Sequence, residues 1–309
     1  MSGNMMKLDA NETAFFKRQT EYVKSKTYDK KYRNLKAKSM IPVSTEAPSG
    51  SQFITWYSYS KIGLAKIIAS YAHDFPRVDI YGEENTAKVY GQGASYGYSI
   101  VEIRRAQRAG MNLSTKRAEA ARRAIEELQD KLAWDGDSDY NIQGLIDYPG
   151  ITEATLTTGT GGNTWDLKTP DEIVADVTAL RNAVSVPTRG VEEIDTIILP
   201  REQYNIIADT RMTDGDSKTI LSYLLENIRK QVPSFMIAPV DRLDTAGDGG
   251  VTRMMGYVKD PDHLVQEIPQ MFEQFEADKK GMEYEIPCHA EHGGVVVYYP
   301  ESVAYMDGI

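Results

Sequence analysis

The side chains best suited to chemistry gather near the C-terminus, in Cys288-His289-Ala290-Glu291-His292. Thiolate, imidazole and carboxylate are the groups that hold zinc, but a tetrahedral site takes four of them, usually as pairs from two places in the chain. Only two other histidines exist, His73 and His263, and Cys288 is the single cysteine. Neither H-E-x-x-H nor its inverse fits the spacing. The stretch reads as a polar turn between two strands, and no metal is expected. Gly159-Thr160-Gly161-Gly162 has the glycine density of a phosphate loop. It lacks the lysine of G-x-x-x-x-G-K-[ST] and the third glycine of G-x-G-x-x-G. It reads as a flexible loop, and Gly91-Gln92-Gly93 has the same weakness. There is no G-x-S-x-G nucleophile elbow. The acidic pairs Glu126-Glu127, Glu192-Glu193 and Asp135-Asp137 are near neighbours in sequence. Such residues on a helix point in different directions, so they read as solvated faces rather than as a carboxylate pair across a cleft. No catalytic, cofactor-binding or metal-binding residue is predicted, no cofactor is expected, and the chain is not expected to be an enzyme.

Composition narrows the class further. A chain of 309 residues with 41% hydrophobic and 26% charged residues can bury a sizeable core. No apolar run approaches the length of a membrane span. The N-terminus lacks the cationic-then-apolar order of a secretion signal. One cysteine excludes an intrachain disulfide and fits a reducing compartment. Net charge is −10, unevenly spread: residues 1–40 carry ten Lys/Arg and four acids, so this arm is +6 and the remainder −16. A basic arm on an acidic body suits either nucleic acid or the acidic surface of another copy. Arginine is scarce in the arm and no nucleic-acid module follows it, which favours self-association. The 19 tyrosines supply contact area with a polar tip, as interfaces and strands both use.

The elements hang on one long helix, Ser114 to Asp135. Ala118, Ala121, Ile125, Leu128 and Leu132 step by three and four, the signature of one helical face. Ser114 is placed as N-cap and Gly136 as the left-handed stop. Before it, residues 1–40 read as an arm that needs something else to pack against, with a helix around Asn11–Val23. Pro42–Ser51 reads as a linker. Gln52–Tyr98 reads as a long tyrosine-rich hairpin with strands near Ile54–Tyr59 and Val78–Tyr81, a polar turn at Glu83-Glu84-Asn85, and a return limb through Tyr98. An isolated ribbon is marginal in water, so it calls for a partner. After the spine, Thr169-Pro170-Asp171-Glu172 forms a capping box for a helix whose inward face is Ile173, Val177, Leu180 and Val184. A buried strand Thr196–Leu199, stopped by Pro200, a helix Arg201–Asp209, a helix Ser217–Val232 and strands Phe235–Pro239 and Met254–Val258 complete an α/β block. Strands at Leu264–Ile268, Met282–Ile286, Gly294–Tyr299 and Val303–Tyr305 close the chain.

This order, carried by SIVEIRRAQRAGMNLSTKRAEAARRAIEELQDKLAWDGD, GLIDYPGI, DTIILPREQYNIIAD and EIPCHAEHGGVVVYYPESVAYMDGI, resembles the major capsid proteins of tailed bacteriophages with the Hong Kong 97-like fold. The resemblance implies an α+β fold: an N-terminal arm (1–48), an extended β-hairpin loop (49–98), a peripheral domain with the spine helix (99–139 and 262–292) and an axial α/β domain (140–261 and 293–309). It implies self-assembly into an icosahedral phage head of hexamers and pentamers around double-stranded DNA, without sequence-specific binding or a membrane. It also implies assembly in the host cytoplasm, with portal, scaffold or decoration proteins as partners. Some relatives crosslink through a Lys–Asn bond. Lys61 and Lys66 lie in the loop, but no partner positions match, so that chemistry is not carried over. The alternatives are an encapsulin-like shell, a cytosolic α/β enzyme working from residues 140–260, and a nucleic-acid binder using the arm.

Overall fold

The computed structural model describes residues 32–62, 79–109, 115–213, 215 and 217–309. The chain separates into two compact units, Met1–Asn34 and Leu35–Ile309, and every element below belongs to the second. The expected helix at Asn11–Val23 and the expected N-cap Ser114 lie outside the described residues.

A short helix α1 (Ala37–Met40) leads into strand β1 (Val43–Ser44). Strands β2 (Phe53–Ile62) and β3 (Asp79–Lys88) pair as an antiparallel ribbon. Strand β4 (Tyr90–Ser99) runs into helix α2 (Ile100–Ala109), and the spine helix α3 (Lys116–Trp134) comes next. The middle of the chain holds β5 (Thr152–Glu153), α4 (Pro170–Ser185), β6 (Thr196–Leu199), α5 (Arg201–Asp209), α6 (Ile220–Ile228), β7 (Met236–Pro239) and β8 (Arg253–Tyr257). The end holds β9 (Leu264–Glu267), β10 (Glu273–Gln274), β11 (Asp278–Lys280), β12 (Glu283–His292), β13 (Val295–Val297) and β14 (Val303–Asp307).

The largest sheet is a mixed one of five strands, ordered β5-β14-β8-β6-β7. Strand β6 is buried along its whole length, and its alternating side chains serve two cores. Ile197 and Leu199 meet Ile173, Val177, Leu180 and Val184 of α4 and Leu224 of α6. Ile198 faces the other way, among Met255, Tyr257, Trp134, Leu145 and Ile41. A central strand covered on both faces reads as a continuous apolar run, which is why Thr-Ile-Ile-Leu was legible. Helix α4 begins as its capping box requires: Pro170 follows the cap, and the Thr169 N–H donates to the Glu172 carboxylate at 2.8 Å.

A second sheet has β12 at its centre, flanked by β10 and β11, with β4 paired along its full length from Glu283↔Ser99 to His292↔Tyr90. Helix α3 covers it, with Ala121 and Ile125 packed against Cys288 and Ala290. The spine's stripe differs from its expected composition. Leu128 is exposed, and Gln129 and Asp130 are buried beside Leu132 and Trp134. The helix presents charged and amide groups inward because Asp130 has a task there. Its Oδ1 accepts the N–H groups of Lys36 and Ala37, both at 3.0 Å, and its Oδ2 pairs with Arg242 at 3.3 Å. This tether corrects the reading of the arm's end. Ala37 and Ile41 are buried in the chain's own core, and Val43–Ser44 forms a parallel strand on β9 rather than a linker. At the far end of the spine Gly136 has φ +67, as expected. A Cβ there would lie 2.5 Å from the Ile142 carbonyl oxygen.

Two further readings change. The expected turn at Glu83–Asn85 lies inside β3, since a strand open to water tolerates acids on either face. The return limb ends at Lys88, and Tyr90–Ser99 leaves the ribbon for β12. Its glycines make that possible: a Cβ on Gly91 would meet His289 Nε2 at 2.9 Å, and one on Gly97 would meet Glu283 Oε1 at 2.6 Å. Ile100 and Val101, directly after Tyr98 and Ser99, begin helix α2.

Candidate assembly surfaces

The cysteine–histidine stretch is not a turn. It is the second half of β12, and its side chains alternate. Cys288 and His292 are buried, and burial pushes the Cys288 thiol up. Glu291 points outward, where its carboxylate accepts the Gly50 N–H at 3.0 Å. His292 Nδ1 accepts the Gly294 N–H at 3.0 Å, and Nε2 lies 2.8 Å from the Gln266 amide. Burial, with the nearby Lys38 charge, holds His292 down to about 3, so the ring is neutral at pH 7. Among the described residues no group of three His, Cys, Asp or Glu is placed to hold a metal.

The glycine loop is packed, not free. Cβ atoms on Gly159 and Gly161 would lie 2.4 and 2.5 Å from the carbonyl oxygens of Gly162 and Leu167. Asp176 of α4 ties the loop down: it pairs with Lys168 at 2.5 Å and accepts from Trp165 Nε1 at 3.0 Å, the Thr157 N–H at 3.1 Å and the Thr157 hydroxyl. Glu172 accepts from Thr160 at 2.6 and 2.8 Å, and with the Thr169 N–H these bonds hold its carboxyl at about 2. The acidic pairs are also structural. Glu126 and Glu127 bind Arg122 and Arg123 one turn away, Asp135 binds Arg242 at 2.6 Å, and Glu192 meets His263 at 2.7 Å. Lys61 falls in β2, and Lys66 lies outside the described residues.

The ribbon is thinly covered. Near its root, Ile54, Trp56 and Ser58 on one face are half-buried, and Trp56 meets Tyr298 edge-on with centroids 5.8 Å apart. On the opposite face Phe53, Thr55, Tyr57 and Tyr59 are exposed, as is all of Asp79–Glu84 on β3. The Tyr59 ring lies across Gly82, with 3.0 Å to a Cβ built there. Tyr57, Tyr59, Ile80 and Tyr81 are each about 60% exposed, so most of their apolar area stays open to water. Sequence reasoning found the tyrosines but not the outward-facing carboxylates of β3.

Those features make a body with an extended, exposed aromatic ribbon. A family described as major capsid protein matches residues 63–309. This chain belongs to the major capsid protein family. A major capsid protein builds the shell of a capsid. Its mixed helix-and-sheet fold is shared with the capsid of the Myoviridae phage XM1, at TM-score 0.79 and 18% identity over 94% of this chain and 98% of that one. Gordonia phage Cozz gives TM-score 0.60 at 13% identity over 99% and 97% of the two chains. A virus-like particle from Pyrococcus furiosus gives 0.53 at 13% identity over 87% and 91%. No curated protein matches the capsid protein in sequence.

Proposed function

We propose that this capsid protein assembles from hexamers and pentamers into an icosahedral shell around double-stranded DNA, in the Hong Kong 97-like manner, with each ribbon laid over an adjacent copy. The arm (1–48), the extended loop (49–98, with its ribbon at 53–88), the peripheral part (99–139 and 262–292) and the axial part (140–261 and 293–309) are the pieces of that reading. The observation that carries it is the uncovered aromatic face of the ribbon, which is stable only with a partner. Many modest contacts per subunit then add through multivalency. The role is structural, without catalysis. Assembly takes place in the host cytoplasm, and portal, scaffold or decoration proteins are its further partners.

The test is to remove the ribbon alone. Gln52 O accepts the Val89 N–H at 3.0 Å, so residues 53–88 can be replaced by two glycines without parting β4 from β12. The expected product is a folded monomer in size-exclusion chromatography, where the full chain gives megadalton particles. Normal shells in electron micrographs of the deletion would count against the reading. Particles of the full chain that hold no DNA when made in infected cells would favour an encapsulin-like compartment instead.

A further inference from the structure

Residues 100–123 carry seven Lys/Arg and two acids, in a body that is otherwise strongly acidic. Six of those seven cations are arginine, whereas only two of the ten in residues 1–40 are. Half of the six are engaged within the chain: Arg117 with Glu102, Arg122 with Glu126 and Arg123 with Glu127, each at 2.9 Å. The other three, Arg104, Arg105 and Arg108, lie on one side of α2. All three are exposed, and none forms an ion pair among the described residues. Ile103 and Ala106, half-buried, turn the opposite way.

The folding of α2 does not call for this cluster. The helix dipole favours a cation in the last turn, which accounts for Arg108 alone. Arg104 and Arg108, four residues apart, repel each other. Glu102, the single acid of the helix, is taken by Arg117. A guanidinium keeps its charge and presents its donors in a fork that matches phosphate oxygens. Arg104 to Arg108 span about 6 Å of helix axis, over which one strand of a DNA duplex presents about two phosphates.

We propose that the arginine face of α2 is a phosphate-binding surface for double-stranded DNA, indifferent to base sequence. The inference rests on the shell reading and names a part of the subunit that meets the enclosed DNA. The acidic charge around it keeps the duplex from lying flat on the rest of the body. Each contact is weak and salt-sensitive, and many copies around one DNA add them.

The test uses the full chain, dilute and unassembled, with a fluorescent DNA duplex of arbitrary sequence read by anisotropy. Arg104→Gln, Arg105→Gln and Arg108→Gln together should weaken binding roughly 50-fold at 0.1 M salt and make the slope of log affinity against log salt shallower by about 2. The basic arm is present in every variant, so the difference isolates α2. Lysine at the same three positions keeps the charges and should keep the slope. Both variants should match the unaltered chain in melting temperature and particle yield, since the three side chains stand in water. Equal affinity and slope in the glutamine variant would overturn the proposal, as would a lysine variant that loses the slope. Lost particles with unchanged DNA binding would assign the face to a protein partner and overturn it too. Size-exclusion chromatography reads the shell separately: an unaltered chain that gives no megadalton species would sink the shell reading, whatever the DNA curves show.

Discussion

Asp176 shows what one buried carboxylate can organise. Its side chain and that of Lys168 are both fully buried, and the pair fixes the loop from Thr157 to Lys168 against α4. Replacing it by asparagine keeps the shape but leaves a buried ammonium without its counter-charge. Asp176→Asn should lower the unfolding free energy by about 3–5 kcal/mol in urea titration. An effect under 1 kcal/mol would mean that Lys168 escapes to water. His292 sets a pH dependence. Its folded value of about 3 lies below the ordinary 6.5, so the unfolded chain binds the extra proton first and stability falls as pH drops through that window. Glu172, held at about 2, adds a loss only below its ordinary 4.5, and the buried Glu267, pushed up by desolvation, opposes both. Comparison with His292→Gln removes the two glutamates from the difference. Between pH 6.5 and 4.5 the unaltered chain should lose up to about 1.4 kcal/mol per unit relative to the variant. Parallel curves would refute the assignment. Neither group was legible beforehand, because a histidine's burial depends on which face of β12 it occupies, and that follows from a register set by β4.

Elements packed against a core announced themselves. The apolar steps of α4, its capping box, and the buried Thr-Ile-Ile-Leu of β6 closed by Pro200 stand where the residues place them, because each faces a core that selects its pattern. The ribbon and β4 were harder. On the outer half of β3 neither face is covered, so no alternation is imposed and Glu83–Asn85 reads as a turn. In β4, glycines on the side facing the β12 side chains look like loop residues until His289 and Glu283 are seen to need their space. The C-terminus of the spine is the reverse case, a glycine whose reason was readable. Gly136→Ala places a Cβ in a left-handed residue and against the Ile142 carbonyl. It should cost roughly 1–2 kcal/mol or more in thermal or urea unfolding, from backbone strain alone. A neutral result would show that the turn after α3 can relax without harm.

At the scale of the whole molecule, the net charge of −10 means that copies repel until specific contacts overcome it. The spread of that charge was readable from composition; the place of the ribbon was not, because its root is fixed through the pairing of β4 with β12. If each copy gives one ribbon and takes one, every subunit added to a shell gains one such contact. Trp56 holds the ribbon root through its edge-on contact with Tyr298, so Trp56→Ala frees an element that must be ordered again on docking. A loss of about 1 kcal/mol per contact raises the concentration threshold for assembly roughly fivefold. Light scattering across a dilution series should show the threshold moving while particles above it keep their size. A yield reduced by the same fraction at every concentration would mean that the ribbon's posture has no part in closing the shell.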